Sequence, residues 1–137
     1  MATTTQTQTK TKNESQNPAN DGAAPVNPVG YSELQTLDPA RARAYYGELF
    51  GWRAEEEQTP AGPYTAFPGL VVGLTAPRDG VPPGWVPYFD VPQIEDATRR
   101  ARTLGGQVLR DCIAIPDGTF SVVRDPTGGV FGLFQKR

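Results

Sequence analysis

From Tyr31 the chain alternates, with Ser32, Leu34 and Thr36 on one side of an extended strand and Tyr31, Glu33 and Gln35 on the other. The period then lengthens. In "DPARARAYYGELFGW", Ala42, Tyr45, Tyr46 and Leu49 recur at helical spacing, Asp38 is placed as an N-cap, Pro39 suits the first helical position and Gly51 the stop. "WRAEEE", "YTAF" and "LVVGL" read as three further strands, the last two joined by a turn at Pro68 and Gly69. The predicted order is strand, helix, strand, strand, strand.

The stretch "TAPRDGVPPGWVP" at 75–87 is dense in Pro and Gly and reads as a connector. After it the order repeats: "WVPYFDV" as strand, "PQIEDATRRARTL" as helix stopped by Gly105 and Gly106, then "QVLRDC", "TFSVVRD" and "GVFGLFQ" as strands. A shift of 55 residues places Leu34 on Phe89, Thr36 on Val91, Ala42 on Ala97, Leu49 on Leu104 and Gly51 on Gly106. For the last strand the shift is 59, pairing Gly73 of "VVGL" with Gly132 of "VFGL", and the extra residues fall near "RDPTGG" at 124–129. Each half is too small for a core of its own, so the two are expected to pack together. The expected class is α+β, two tandem βαβββ modules with helices outside and a ligand-sized cleft between the inward sheet faces.

Composition narrows the function. Apolar residues make up 37% of the 137, and the shortfall is concentrated in residues 1–28, rich in Thr, Gln, Asn, Ala and Pro. That stretch is expected to be a disordered tail, leaving a domain over 29–137 with modules at 30–75 and 85–136 and a linker at 76–84. No segment reads as a secretory signal or a membrane span, and the single Cys112 cannot form an internal disulfide, so a soluble cytoplasmic protein is expected. The net charge is −2, and the basic run "RRAR" at 99–102 reads as the solvated face of a helix before it reads as a phosphate patch; nucleic acid and membrane are not expected partners. Histidine is absent altogether, which removes the commonest general base and metal ligand.

The motifs "SELQTLDPARARAYYGELFGW", "YFDVPQIEDA", "LGGQV" and "DPTGGVFGL", in this order over 30–136, resemble the vicinal oxygen chelate superfamily of glyoxalases, bleomycin resistance proteins and extradiol dioxygenases. The resemblance implies a U-shaped open barrel around a ligand site, often in a homodimer. Metal-using members carry liganding side chains on the first and last strand of each module. The matching positions here are Tyr31, Val86, Gly73 and Gly132, which lack donors of the expected type, so no metal and no cofactor are expected.

Strand parity places Tyr31, Glu33, Gln35, Val86, Tyr88 and Asp90 in the cleft, with open floor at Gly73 and Gly132. Glu33 is the candidate general acid or base, assisted by Tyr88 or Tyr31, and its alternative role is a structural carboxylate bonded to Tyr88 or to an Arg. Trp52 and Trp85 are candidates for stacking on an aromatic ligand, and more readily for core or rim packing. Cys112, without a cationic partner, reads as an inert thiol. Two functions compete: metal-independent binding of an apolar or aromatic small molecule, such as a natural product or drug, and a metal-free isomerase, epimerase or cyclase using Glu33. A metal-dependent lyase or dioxygenase ranks below both.

Overall fold

The computed structural model describes residues 26–78 and 80–137. Each module runs strand, helix, three strands. The first comprises β1 (Val29–Gln35), α1 (Pro39–Phe50), β2 (Glu55–Thr59), β3 (Gly62–Ala66) and β4 (Val72–Thr75). The second comprises β5 (Gly84–Asp90), α2 (Ile94–Thr103), β6 (Gln107–Ile115), β7 (Gly118–Arg124) and β8 (Val130–Lys136). All strands join one sheet in the order β2-β3-β4-β1-β5-β8-β7-β6. The modules meet at its centre, where β1 and β5 run antiparallel with Glu33 opposite Val86 and Tyr31 opposite Tyr88. In each module the first strand pairs in parallel with the last, β1 with β4 and β5 with β8. The result is a curled half-barrel of α+β class, with both helices on the convex side.

Local chemistry explains the punctuation. The Asp38 carboxylate accepts the Arg41 amide at 3.1 Å, capping α1, and Gly51 ends the helix at φ 72°. The insertion in the second module is a turn folded on Asp125, whose Oδ1 accepts the amides of Thr127 at 2.7 Å and Gly129 at 3.0 Å. Alternation sorts the convex core: Leu34, Phe67 and Leu74 pack under α1, and Ile94, Val123 and Leu133 under α2. Beneath α2, Thr98 Oγ1 meets Ser121 Oγ at 2.8 Å, and Ser121 Oγ accepts the amide of Cys112 at 2.9 Å.

Three expectations change. The apolar stripe of α1 is largely open, with Tyr45 60% and Leu49 54% exposed, because α1 lies chiefly against β4 whereas α2 crosses β6, β7 and β8. The connector is more than a spacer: its Val81 is buried against Val86, Tyr88 and Val122 on the concave face, and β5 already begins at Gly84. The expected tail over 1–28 lies, as far as residue 25, outside the described residues; its last part is tied to β5, where Pro28 O accepts the Asp90 amide at 2.9 Å.

Candidate functional site

The concave face is built around the seam of β1 and β5. Tyr31, Glu33 and Gln35 share one face of β1 by the period of two, and their side chains meet there. Gln35, only 2% exposed, fixes the carboxylate: its Nε2 donates to Glu33 Oε1 at 2.5 Å while its Oε1 accepts the backbone amide of Arg78 at 3.0 Å. The Tyr31 hydroxyl is 3.4 Å from Glu33 Oε2 and hydrogen-bonds the hydroxyl of Tyr64, which reaches in from β3. Glu33 is therefore held by Gln35 and Tyr31, and not by Tyr88. Burial raises its pKa above the ordinary carboxylate range, against the opposing pull of Arg78, Gln35 and Arg110. Burial likewise pushes the Tyr64 phenol up to about 12, helped by Asp117 on the opposite hairpin, and the Tyr88 phenol higher still, with the Glu33 charge adding to it.

The two glycines are not open floor. A Cβ on Gly73 would meet the hydroxyls of Tyr64 and Tyr31, and one on Gly132 would lie on the Tyr88 ring, 2.7 Å from its Cγ and nearer to its edge. Neither glycine has a positive φ, so neither is required by backbone conformation. Each is a seat for a tyrosine. Tyr88 is 5% exposed, packed by Val81, Val86 and Val122, 5.7 Å from the Tyr31 ring and 6.0 Å from that of Phe120.

Residues 33–134 match the profile of the glyoxalase-like domain. The chain belongs to the glyoxalase-like family. It is 33% identical over 113 residues to CFP32 of Mycobacterium tuberculosis, provisionally named a glyoxylase, a match covering 75% of this chain and 43% of that protein. It is 30% identical over 135 residues to the anthracycline biosynthesis protein DnrV of Streptomyces peucetius, covering 82% of this chain and 48% of DnrV. The chain thus spans less than half the length of these relatives. A glyoxalase/bleomycin resistance protein/dioxygenase superfamily member from Vibrio splendidus superposes with a TM-score of 0.54 at 18% identity, covering 78% of this chain and 97% of that one; this likeness speaks for the fold alone.

Within this glyoxalase-like chain the donor set does not suit a metal. Gly73, Gly132 and Val86 offer no donor, and the phenol at Tyr31 is engaged by Tyr64. Among the described residues no three His, Cys, Asp or Glu side chains come together where they could hold an ion.

Other candidates are dispersed. Val86 faces the cleft but is buried under Val81. Asp90 is four residues beyond Val86 on β5, about 13 Å at the rise of a strand, with its carboxylate against Gly30 and 3.9 Å from Lys136 Nζ. It therefore does not join Glu33. Trp52 and Trp85 sit on the convex face, away from the Glu33 cluster: Trp52 packs on Phe67, and Trp85 Nε1 donates to Tyr46 Oη at 3.2 Å. Trp85 follows strand parity, being adjacent to inward Val86.

Two grooves lie on that convex side, one of about 870 Å³ beside α2 and one of about 310 Å³ beside α1. They are the same place in the two modules, since Leu34, Ala42 and Tyr46 of the smaller correspond to Phe89, Ala97 and Ala101 of the larger. Tyr46 partly fills what Ala101 leaves empty. Tyr64, Arg78 and Arg110 escaped the sequence reading. Alternation in "YTAF" could have pointed to Tyr64, whereas Arg78 belongs to the connector, which carries no period.

Proposed function

We propose that the chain binds a small molecule on its concave face without a metal, and that Glu33 exchanges a proton with it. The observation that carries this is a carboxylate of raised proton affinity, held by Gln35 and Tyr31 at the seam of the two modules. A carboxylate tuned toward neutrality can both take a proton from carbon beside a carbonyl and return it, which suits isomerisation, epimerisation or cyclisation. Tyr31 stands beside the carboxylate, where a ligand oxygen could take the place of Tyr64 at its hydroxyl. An aromatic ligand fits the rings of Tyr31, Tyr88 and Phe120, and the naming of DnrV as an anthracycline biosynthesis protein supports a polycyclic one. Family membership supports a small-molecule ligand generally.

A second reading, binding without turnover, is favoured by the high proton affinity of Tyr64 and Tyr88, which makes both poor acids to complement Glu33. The two readings part in a hydrogen-exchange assay. With 2-tetralone as a carbon acid in D2O, followed by proton NMR, the wild-type protein is expected to speed loss of the α-proton signal over buffer. Glu33→Gln is expected to lower that rate by about 10²- to 10⁴-fold. Equal rates for the two proteins remove Glu33 as the base; binding of 2-tetralone without any acceleration favours the second reading. A homodimer, expected from the family, is part of the proposal, tested by sedimentation velocity: a monomer at micromolar concentration refutes it.

A further inference from the structure

We infer that the concave face recognises an organic anion, an aromatic carboxylate whose charge is taken by Arg110 while its ring lies against Phe120. The inference rests on the reading of this face as the ligand site and adds the chemical class of what enters it.

Arg110 stands on β6 opposite Val122, a residue of the concave core, so its side chain shares that face with Tyr88 and Phe120. Its guanidinium carbon lies 5.8 Å from the centroid of Phe120. Phe120 meets Tyr88 edge-on, and Tyr88 in turn meets Tyr31, so one continuous aromatic wall runs from Arg110 to the Glu33 cluster. Arg43, Arg99 and Arg102 on the outer surface each meet a carboxylate. Arg110 is half-buried, and among the described residues its guanidinium has neither an ion-pair partner nor a hydrogen-bond acceptor. A planar fork of donors held on a ring face and left without an acceptor is the geometry that takes a carboxylate in two parallel hydrogen bonds.

The charge balance agrees. Near Glu33 the fixed cations are Arg78, tied to Ala61 O at 3.0 Å, and Arg110, both of which act on the Glu33 carboxylate. Asp90 lies well along the strand, 3.9 Å from Lys136 Nζ. Glu33, of raised proton affinity, and Asp117, whose charge reaches Tyr64, stand against two guanidinium groups, so the positive charge left over is concentrated at unpaired Arg110, where an anionic ligand would complete it. The same cations would steady negative charge that develops on the ligand when a proton leaves it.

The test uses 2-naphthoate, with neutral 2-naphthamide as its shape-matched control, by isothermal titration at low and high salt. Wild-type protein is expected to bind 2-naphthoate at least tenfold more tightly than 2-naphthamide, with the difference shrinking as salt rises. Arg110→Met is expected to weaken 2-naphthoate about 10- to 100-fold and 2-naphthamide by much less, since the amide carbonyl loses one neutral hydrogen bond and the carboxylate a charge-assisted bidentate contact. Arg110→Lys should recover part of the loss by charge without the fork. Equal affinity for the two compounds, failure of 2-naphthoate to bind, or an unchanged affinity in a folded Arg110→Met variant each overturns the inference. Circular dichroism establishes that folding, and Arg110→Lys supplies the same comparison if the Met variant is unfolded. The 2-tetralone exchange assay involves no carboxylate, so the inference on Arg110 and the reading of Glu33 can fail separately.

Discussion

Gly132→Ala separates a seat from a defect. Glycine within a strand costs about 0.5–1 kcal/mol relative to alanine through backbone entropy, so replacing one of ordinary φ should stabilise the protein. At Gly132 the added methyl would instead enter the ring of Tyr88, 2.7 Å from Cγ and nearer to its edge. The ring cannot swing clear, because Val81, Val86 and Val122 pack against it and it is 5% exposed. Overpacking a filled core costs about 1–3 kcal/mol, which outweighs the entropic gain. We expect Gly132→Ala to lose a net 1 to 2 kcal/mol, roughly. In urea, with a slope of about 1–3 kcal/mol per molar, that is a visible fall in midpoint at unchanged slope. The cause is checked by the double-mutant cycle with Tyr88→Ala: once the ring is gone the methyl has room, so the double variant should be more stable than the sum of the single losses predicts. A Gly132→Ala protein as stable as wild type, or strict additivity in the cycle, would refute the idea that this glycine exists to seat Tyr88.

Gly73→Ala should behave differently: the atoms its methyl would meet are hydroxyl ends of Tyr64 and Tyr31, and half-buried Tyr64 can turn aside, so the stability change should stay within about 1 kcal/mol; a larger loss in urea would show Tyr64 to be locked. Glu33 sets a pH dependence. Its folded pKa lies above the unfolded one, so the folded state binds more protons between the two values, and stability falls as pH rises from the ordinary carboxylate range through the raised folded value. Glu33→Gln should remove this fall and gain on wild type above that window, while parallel pH–stability curves would contradict it. Ser121→Ala should cost about 1–3 kcal/mol, because the half-buried Cys112 amide loses its acceptor and the Thr98 hydroxyl keeps only its bond to Ile94 O. Faster hydrogen exchange at the Cys112 amide should accompany it, and an unaltered amide would contradict the assignment.

The fold was legible where local period and tertiary position agree. Leu34 and Leu74 alternate with Glu33 and Gly73, and the same alternation sends the first pair under α1 and the second pair into the concavity. Asp38 and Gly51 mark the ends of α1 because capping is local chemistry. Legibility ended where a residue's meaning depends on what arrives from elsewhere. Gly73 and Gly132 are unremarkable in ladder terms, and nothing in "VVGL" or "VFGL" announces that Tyr64 and Tyr88 fill the space above them. Val81 is buried from within a stretch that alternation cannot parse, because Pro and Gly carry the chain in no fixed period. The stripe on α1 has the same spacing as any buried helix, yet Tyr45 and Leu49 remain open because little of the sheet lies beneath them. Glu33 could be named from parity; that Gln35 would hold its carboxylate could not, since both lie on one strand and their contact depends on rotamers.

The seating of Tyr88 on Gly132 also constrains how this sequence can change over time. A carboxylate introduced at position 132, where the family resemblance implies one in metal-using members, would have to enter space the ring already occupies. Tyr88 must therefore become small before that position can gain a side chain, and the intermediate would have an emptied core beside Val122 and Val86. The order of substitutions is fixed and its middle step is the least stable, so the packing is a barrier that a change at this position must cross in either direction.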